Sequence, residues 1–175
     1  MARVLVAYAS QLGGTRGIAE AIGAGLTQRG HPATVRSVSE IVSVDEFDGV
    51  VLGSGVFASH WHKPAVEFAR RHEAVLRKKP VWLFSSGPIG DSTPAGPFSD
   101  PKEVGGIRAR LQPRDHRIFW GSLDRAALDK SNVGTVTRFI SRRFIPEGDW
   151  RDWAAIDAWA EVISSSLGSR VAVPA

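Results

Sequence analysis

The sequence predicts an α/β domain, a three-layer sandwich in which a five-stranded parallel sheet carries helices on both faces. Short apolar runs ending in Gly or Ser recur along it, as "VLVAYA", "GVVLGSG" and "PVWLFSSG". Stretches with apolar residues at helical spacing fall between these runs. The 175 residues, 43% of them hydrophobic, suffice for one domain with a substantial core. Continuous apolar runs are how parallel strands buried on both faces read, and strand–helix alternation lays the helices over the sheet.

The first strand is Val4–Ala9. A helix over Thr15–Arg29 follows, with Ile18, Ile22 and Leu26 on one face; Gly30 suits a left-handed C-terminal cap, and Pro32 blocks continuation. Ala33–Val38 alternates polar and apolar residues and so reads as an edge strand. Gly49–Gly55 is the third strand. Pro64 opens a second helix carrying Val66, Phe68, Ala69, Val75 and Leu76, and Pro80–Gly87 is the fourth strand. The Gly/Pro-rich stretch Gly87–Pro101 reads as a long loop, of a length that is more often functional or mobile than structural. His116–Ser122 is the fifth strand. Lys130–Ile145 reads as a basic amphipathic helix, with Val133, Val136, Ile140 and Phe144 beside Arg138, Arg142 and Arg143. Such a helix either packs on the sheet with its arginines in water or lies on an anionic membrane surface. The last helix, Asp152–Leu167, places Trp153, Ile156, Ala160, Ile163 and Leu167 on one stripe, with Trp153 expected in the core.

Composition removes whole classes of chemistry. There is no cysteine, which excludes disulfides, thiolate metal sites, iron–sulfur clusters and cysteine nucleophiles. The net charge of +4 suits an anionic small molecule or a membrane surface, or is simply a mildly basic exterior. No clustered basic stripe supports nucleic-acid binding. No apolar run approaches the roughly 18 residues of a spanning helix, and the N-terminus enters a strand with no signal-like region, so a cytoplasmic location is expected. Of His60, His62 and His72, the first two stand two apart on a loop with no nearby carboxylate to complete a ligand set, so no metal is expected. His60 or Lys63 either steers an anionic substrate or is a solvated helix entry. There is no G-x-S-x-G elbow, and no side chain is assigned as catalytic acid or base.

Three loops leave the central strands on the sheet edge where open α/β sheets bind ligands. The first, Ser10-Gln11-Leu12-Gly13-Gly14-Thr15, suits a monophosphate: amides at a helix N-terminus plus two hydroxyls can surround a dianion. It lacks the lysine a triphosphate requires, and its glycine spacing is not that of a dinucleotide fold. The second, "SGVFASHW", offers Gly55, Val56, Phe57 and Trp61; the two aromatics either sandwich a planar ring or pack into the core. The third, "SSGPIGD", offers backbone groups at Ser85, Ser86, Gly87 and Gly90 to the polar rim of such a ring. Phosphate plus flat heterocycle on this architecture points to FMN.

"SQLGGT" resembles the flavodoxin phosphate loop, S/T-x-T-G-x-T, through Ser10, Gly13 and Thr15; Leu12 stands where a hydroxyl is usual. Through "GGTRGIAEAI", "SHWHKPAVEFARRH", "FWGSLD" and "GDWRDWAAIDAWA", most of the chain is similar to HemG-type flavodoxin-domain proteins, the menaquinone-dependent protoporphyrinogen dehydrogenases. The resemblance implies a single flavodoxin-like domain that binds FMN, oxidises a reduced organic substrate and passes electrons to a quinone. A one-electron carrier of flavodoxin type, or a flavin- or deazaflavin-binding protein of other function, are the alternatives.

Overall fold

A computed structural model of the chain describes residues 1–87, 100–124 and 147–168. The basic segment Lys130–Ile145, residues 88–99 of the long loop and the site candidate Gly90 lie outside the described residues.

Apolar strands and amphipathic helices alternate as expected. In chain order the elements are β1 (Val4–Ala9), α1 (Gly14–Gln28), β2 (Ala33–Ser37), β3 (Gly49–Phe57), β4 (His60–Trp61), α2 (Lys63–Arg71), α3 (Glu73–Leu76), β5 (Val81–Ser86), α4 (Lys102–Leu111), β6 (Asp115–Phe119), β7 (Ser122–Leu123), β8 (Gly148–Asp149) and α5 (Trp153–Gly168). Five strands pair in parallel in the order β2-β1-β3-β5-β6. The short β4 returns antiparallel along the end of β3, and β7 and β8 form a separate antiparallel pair. The chain leaves β1 toward β2 and leaves β3 toward β5. The connections therefore diverge between β1 and β3, opening a crevice at their carboxyl ends.

Successive residues of one strand feed opposite cores, which is why the runs are apolar throughout. Val4, Val6, Val51, Trp82 and Phe84 meet Ile18, Ile22 and Leu26 of α1 and Ile156, Trp159 and Ile163 of α5. Leu5, Ala7, Leu52 and Leu83 point the other way, onto Phe68, Leu76, Val104, Ile107 and Leu111. Helices α1 and α5 approach closely at Gly25, where a Cβ would come within 2.9 Å of the Ala160 Cβ. Arg29 closes that contact with a bidentate pair to Asp157 at 2.9 and 2.8 Å.

The structure departs from the sequence expectations in four places. The second helix is two, divided at His72, whose backbone (φ −101°, ψ 10°) sits in the bridge region. Helix α4 was not anticipated. Gly105 and Gly106 lie in its middle, each costing about 1 kcal/mol against Ala, and they mask the Val104–Ile107–Leu111 stripe. The fifth parallel strand ends at Phe119, and Ser122 belongs to β7. Finally, Trp153 is 46% exposed, while Trp159 is the buried tryptophan of α5. At the level of Trp153, α1 carries Gly17, and the Arg151 guanidinium fills that space, 4.4 Å over the Trp153 ring. Trp159 instead packs on Phe84 and Phe119 and donates its Nε1–H to Asp115 at 2.9 Å.

Gly53 lets the central strand pass beneath the Phe84 ring, since a Cβ there would overlap the ring atoms. Gly53→Ala should therefore lower stability by about 2 kcal/mol through overpacking. The check is a urea midpoint shift at constant m-value; an unshifted midpoint would show that Phe84 has room to move.

Candidate functional site

The crevice between β1 and β3 is floored by strand ends and walled by the three loops expected from the sequence. Ser10, Gln11, Leu12, Gly14 and Thr15 line it from the first loop, Gly55, Val56 and Phe57 from the second, and Ser86 and Gly87 from the third.

Helix α1 opens this cleft with its N-terminus bare. Gly13 precedes it at φ 86°, a left-handed conformation natural to glycine, and no side chain caps the helix. Its first amides have no intrahelical acceptors, so they and the helix dipole favour an anion at this end. Ser10 Oγ accepts the Gly13 N–H at 3.1 Å, which tightens the loop and leaves the hydroxyl proton free to donate. Thr15 is buried against the same end. Arg151 donates to the Gly14 carbonyl at 3.3 Å, and Ser122 Oγ lies 2.9 Å from where a Gly14 Cβ would stand. The β7–β8 pair and Arg151 beside it thus brace the loop. Asp149 holds Arg151 in place at 2.7 and 2.6 Å, and that guanidinium keeps the Asp149 carboxyl below its ordinary value.

The second loop is a two-residue hairpin. Val56 faces Trp61 and Phe57 faces His60 across it. Ala58 and Ser59 form the turn at φ 49° and 64°, where a two-residue hairpin ordinarily carries Asn-Gly. The strain is held from α4: Glu103 accepts the Trp61 N–H at 2.9 Å and pairs with His60 Nδ1 at 2.6 Å, and the Lys102 N–H donates to the Ser59 carbonyl at 3.0 Å. Burial pushes the Glu103 carboxyl up, but the hydrogen bonds from His60 and the Trp61 amide outweigh it and hold it low. The hairpin lifts Phe57, 51% exposed, over the cleft.

Four candidates from the sequence are placed elsewhere or fall outside. Gly13 shapes the loop without lining the cleft. Trp61 packs into the core at 3% exposure and donates its Nε1–H to Ser85 Oγ at 2.8 Å, so it leaves Phe57 without an aromatic companion from this loop. Ser85 is fully buried, bridging Trp61 and His116 Nε2 at 2.9 Å. Gly90 lies outside the described residues. Ser85, His116 and Asp100 form a hydroxyl–imidazole–carboxylate row, with His116 Nδ1 at 3.2 Å from Asp100. Ser85 has no exposed surface and its oxygen already accepts from Trp61, so the row is a buried strut and not a nucleophile.

Sequence reasoning missed Gly121, Ser122, Leu123 and His62, all of which line the cleft. The first three follow the carboxyl end of β6, so the edge rule that selected the other loops also points to "FWGSLD". Among the described residues no group of three or more potential metal ligands gathers, and no helix is long and apolar enough to cross a membrane.

A family model for the flavodoxin domain matches residues 5–140. No curated protein matches the sequence. A flavodoxin from the domain Archaea is similar in structure at 17% identity and a TM-score of 0.61, covering 95% of this chain and 99% of that one. The rubredoxin oxygen:oxidoreductase of Desulfovibrio gigas is similar at 12% identity and a TM-score of 0.63, with 98% of this chain matched to 37% of that protein. A Megasphaera elsdenii flavodoxin shares 21% identity over 66% of this chain and 84% of its own, at a TM-score of 0.53. At these identities the likeness is one of fold.

Relieving the hairpin strain should stabilise the protein. Ser59→Gly is expected to add about 1 kcal/mol, raising the thermal midpoint by about 2–4 °C. A midpoint that stays or falls would show that the turn is unstrained.

Proposed function

Because the chain belongs to the flavodoxin domain family, matched over residues 5–140, we propose that it binds FMN in the β1/β3 crevice and works as an oxidoreductase. Flavodoxin-like sheets with FMN at this switch point are themselves a standard instance of the edge-binding rule. The observation that carries the reading is the uncapped N-terminus of α1, opening among the Ser10 and Thr15 hydroxyls into a cleft that continues beneath Phe57. No lysine or arginine lines that cleft among the described residues. The donor set fits one phosphate held by amides and hydroxyls, with an apolar wall beyond it.

FMN, when bound, supplies both hydride and single-electron chemistry. The chain's own residues bind and orient it. Gly14 and Thr15 would hold the anionic end, and Gly55, Val56 and Gly87 would offer backbone to the ring. Phe57 would cover one ring face against water. Leu12 contributes an apolar surface where a hydroxyl would donate.

The finer reading is a protoporphyrinogen-dehydrogenase-like enzyme that delivers electrons to a quinone. Its support is the likeness of "SHWHKPAVEFARRH", "FWGSLD" and "GDWRDWAAIDAWA" to that branch, together with the net charge of +4. A carrier that docks on redox partners by electrostatic steering is served by a strongly one-signed surface, which this composition does not provide. The carrier reading is favoured in turn by the likeness to flavodoxins along nearly the whole chain.

Apoprotein titrated with FMN should take it up with a shifted flavin absorbance and quenched fluorescence. Thr15→Val should weaken uptake about tenfold or more, the loss of one hydrogen bond to a charged group. No uptake by the wild type would remove the assignment.

Anaerobic reduction then separates the two finer readings. The dehydrogenase is expected to reduce in a single two-electron step with a porphyrinogen and to reoxidise with a soluble quinone. Two resolved one-electron steps, with no turnover between porphyrinogen and quinone, would favour the carrier.

A further inference from the structure

His62 is the only ionisable side chain among the described residues lining the cleft. Gly55 fixes its position: a Cβ on that glycine would lie 2.7 Å from His62 Nε2 and 3.0 Å from Thr15 Oγ1. The imidazole nitrogen and the phosphate-loop hydroxyl therefore crowd one small volume at the N-terminal end of α1. The residue is anchored by its backbone, whose N–H donates at 2.9 Å to the fully buried Ser54 Oγ. Its ring also borders a second hollow behind Ser10 and Gln11, walled by Ser37 and Ser39. Among the described residues no hydrogen bond or ion pair engages either ring nitrogen.

The charged groups around it are committed elsewhere. On its own segment His60 pairs with Glu103, and Lys63 with Glu67. On α1, Arg16 pairs with Glu20 and feels Glu40 and Tyr8. The β1–α1 loop and the 37–39 turn present it with hydroxyls and the Gln11 amide alone. A half-buried imidazole with free nitrogens, beside amides that favour an anion and with no carboxylate of its own, is a proton-carrying donor in waiting.

We propose that His62 is a titrating ligand of the cofactor's phosphate, donating from Nε2 as an imidazolium, so that the protein grips FMN more tightly as pH falls. The inference rests on the FMN assignment and deepens it. With no anion beside it, burial holds the His62 pKa below its ordinary value. A dianion at hydrogen-bond distance raises it, because the charged form is then favoured. Binding between those two values takes up a proton. The added affinity is complete below the pKa of the empty site and is lost as pH rises through that of the loaded one.

The test is the dissociation constant of FMN, and of riboflavin, which lacks the phosphate, across about pH 6.5–8.5, where FMN is chiefly a dianion. For the wild type the FMN constant should rise about tenfold for each unit by which binding raises the pKa, while riboflavin stays flat. His62→Gln should bind FMN weakly at every pH with no slope. His62→Arg should restore tight binding without a slope, which a merely structural role for the imidazole does not predict. A His62→Gln protein that keeps the wild-type slope, or riboflavin sharing it, overturns the inference. FMN bound tightly with no slope in the wild type overturns it too and leaves the cofactor assignment standing. A wild type that binds neither flavin overturns both.

Discussion

Both faces of the sheet are covered, and the rest of the molecule follows from that constraint. With Val4, Val6 and Val51 turned to one helical layer and Leu5, Leu52 and Leu83 to the other, strand interiors have no room for polar chemistry. Backbone groups free of the ladder can reach solvent only at the strand ends. The order β2-β1-β3-β5-β6 then parts the connections between β1 and β3, so the freed groups face one crevice. Burial of the strand interiors leaves the carboxyl edge as the place where the sheet can meet a ligand.

The sequence read most clearly where that constraint acts. The apolar runs, the Ile18–Ile22–Leu26 stripe and the loop Ser10–Thr15 each carry a local signal that agrees with the global arrangement, and each lies where expected. Legibility failed where a residue's fate depends on a distant partner. Trp61 and Phe57 are close in sequence and both aromatic, yet one is buried by a bond to Ser85 and the other stands over the cleft. Trp153 and Trp159 share a helix, and what separates them is Gly17 on α1, which yields its space to Arg151. Helix α4 was hidden for a local reason: two adjacent glycines outweighed three well-spaced apolar residues.

The hairpin over the cleft shows how tertiary contacts sustain a conformation that its own sequence disfavours. Ala58 and Ser59 have no intrinsic preference for left-handed backbone, which costs each about 1–2 kcal/mol. Glu103 and the Lys102 amide, both from the start of α4, hold the hairpin from outside. Such strain persists where surrounding structure over-determines it, and it concentrates at sites that must present a group in a fixed attitude. Here the group presented is Phe57. The buried row from Trp61 through Ser85 to His116 ties the same hairpin to β5 and β6, so hydrogen bonds link two otherwise separate walls of the cleft.

The phosphate end shows a different balance. Leu12 replaces a hydroxyl, removing a neutral donor whose strength does not vary with pH in the physiological range, and His62 enters the same region with a donor whose strength does. A loop of hydroxyls and amides binds a phosphate to the same extent across neutral pH. A loop in which an imidazole carries part of that load cannot, because its charge depends on solution pH and on the anion it meets. Coupling runs both ways: the phosphate raises the proton affinity of the ring, and the ring's proton raises the affinity for the phosphate by the same factor. A flavin site built in this way senses protons at the end remote from its redox chemistry. Its occupancy then depends on pH even where the reaction at the ring does not.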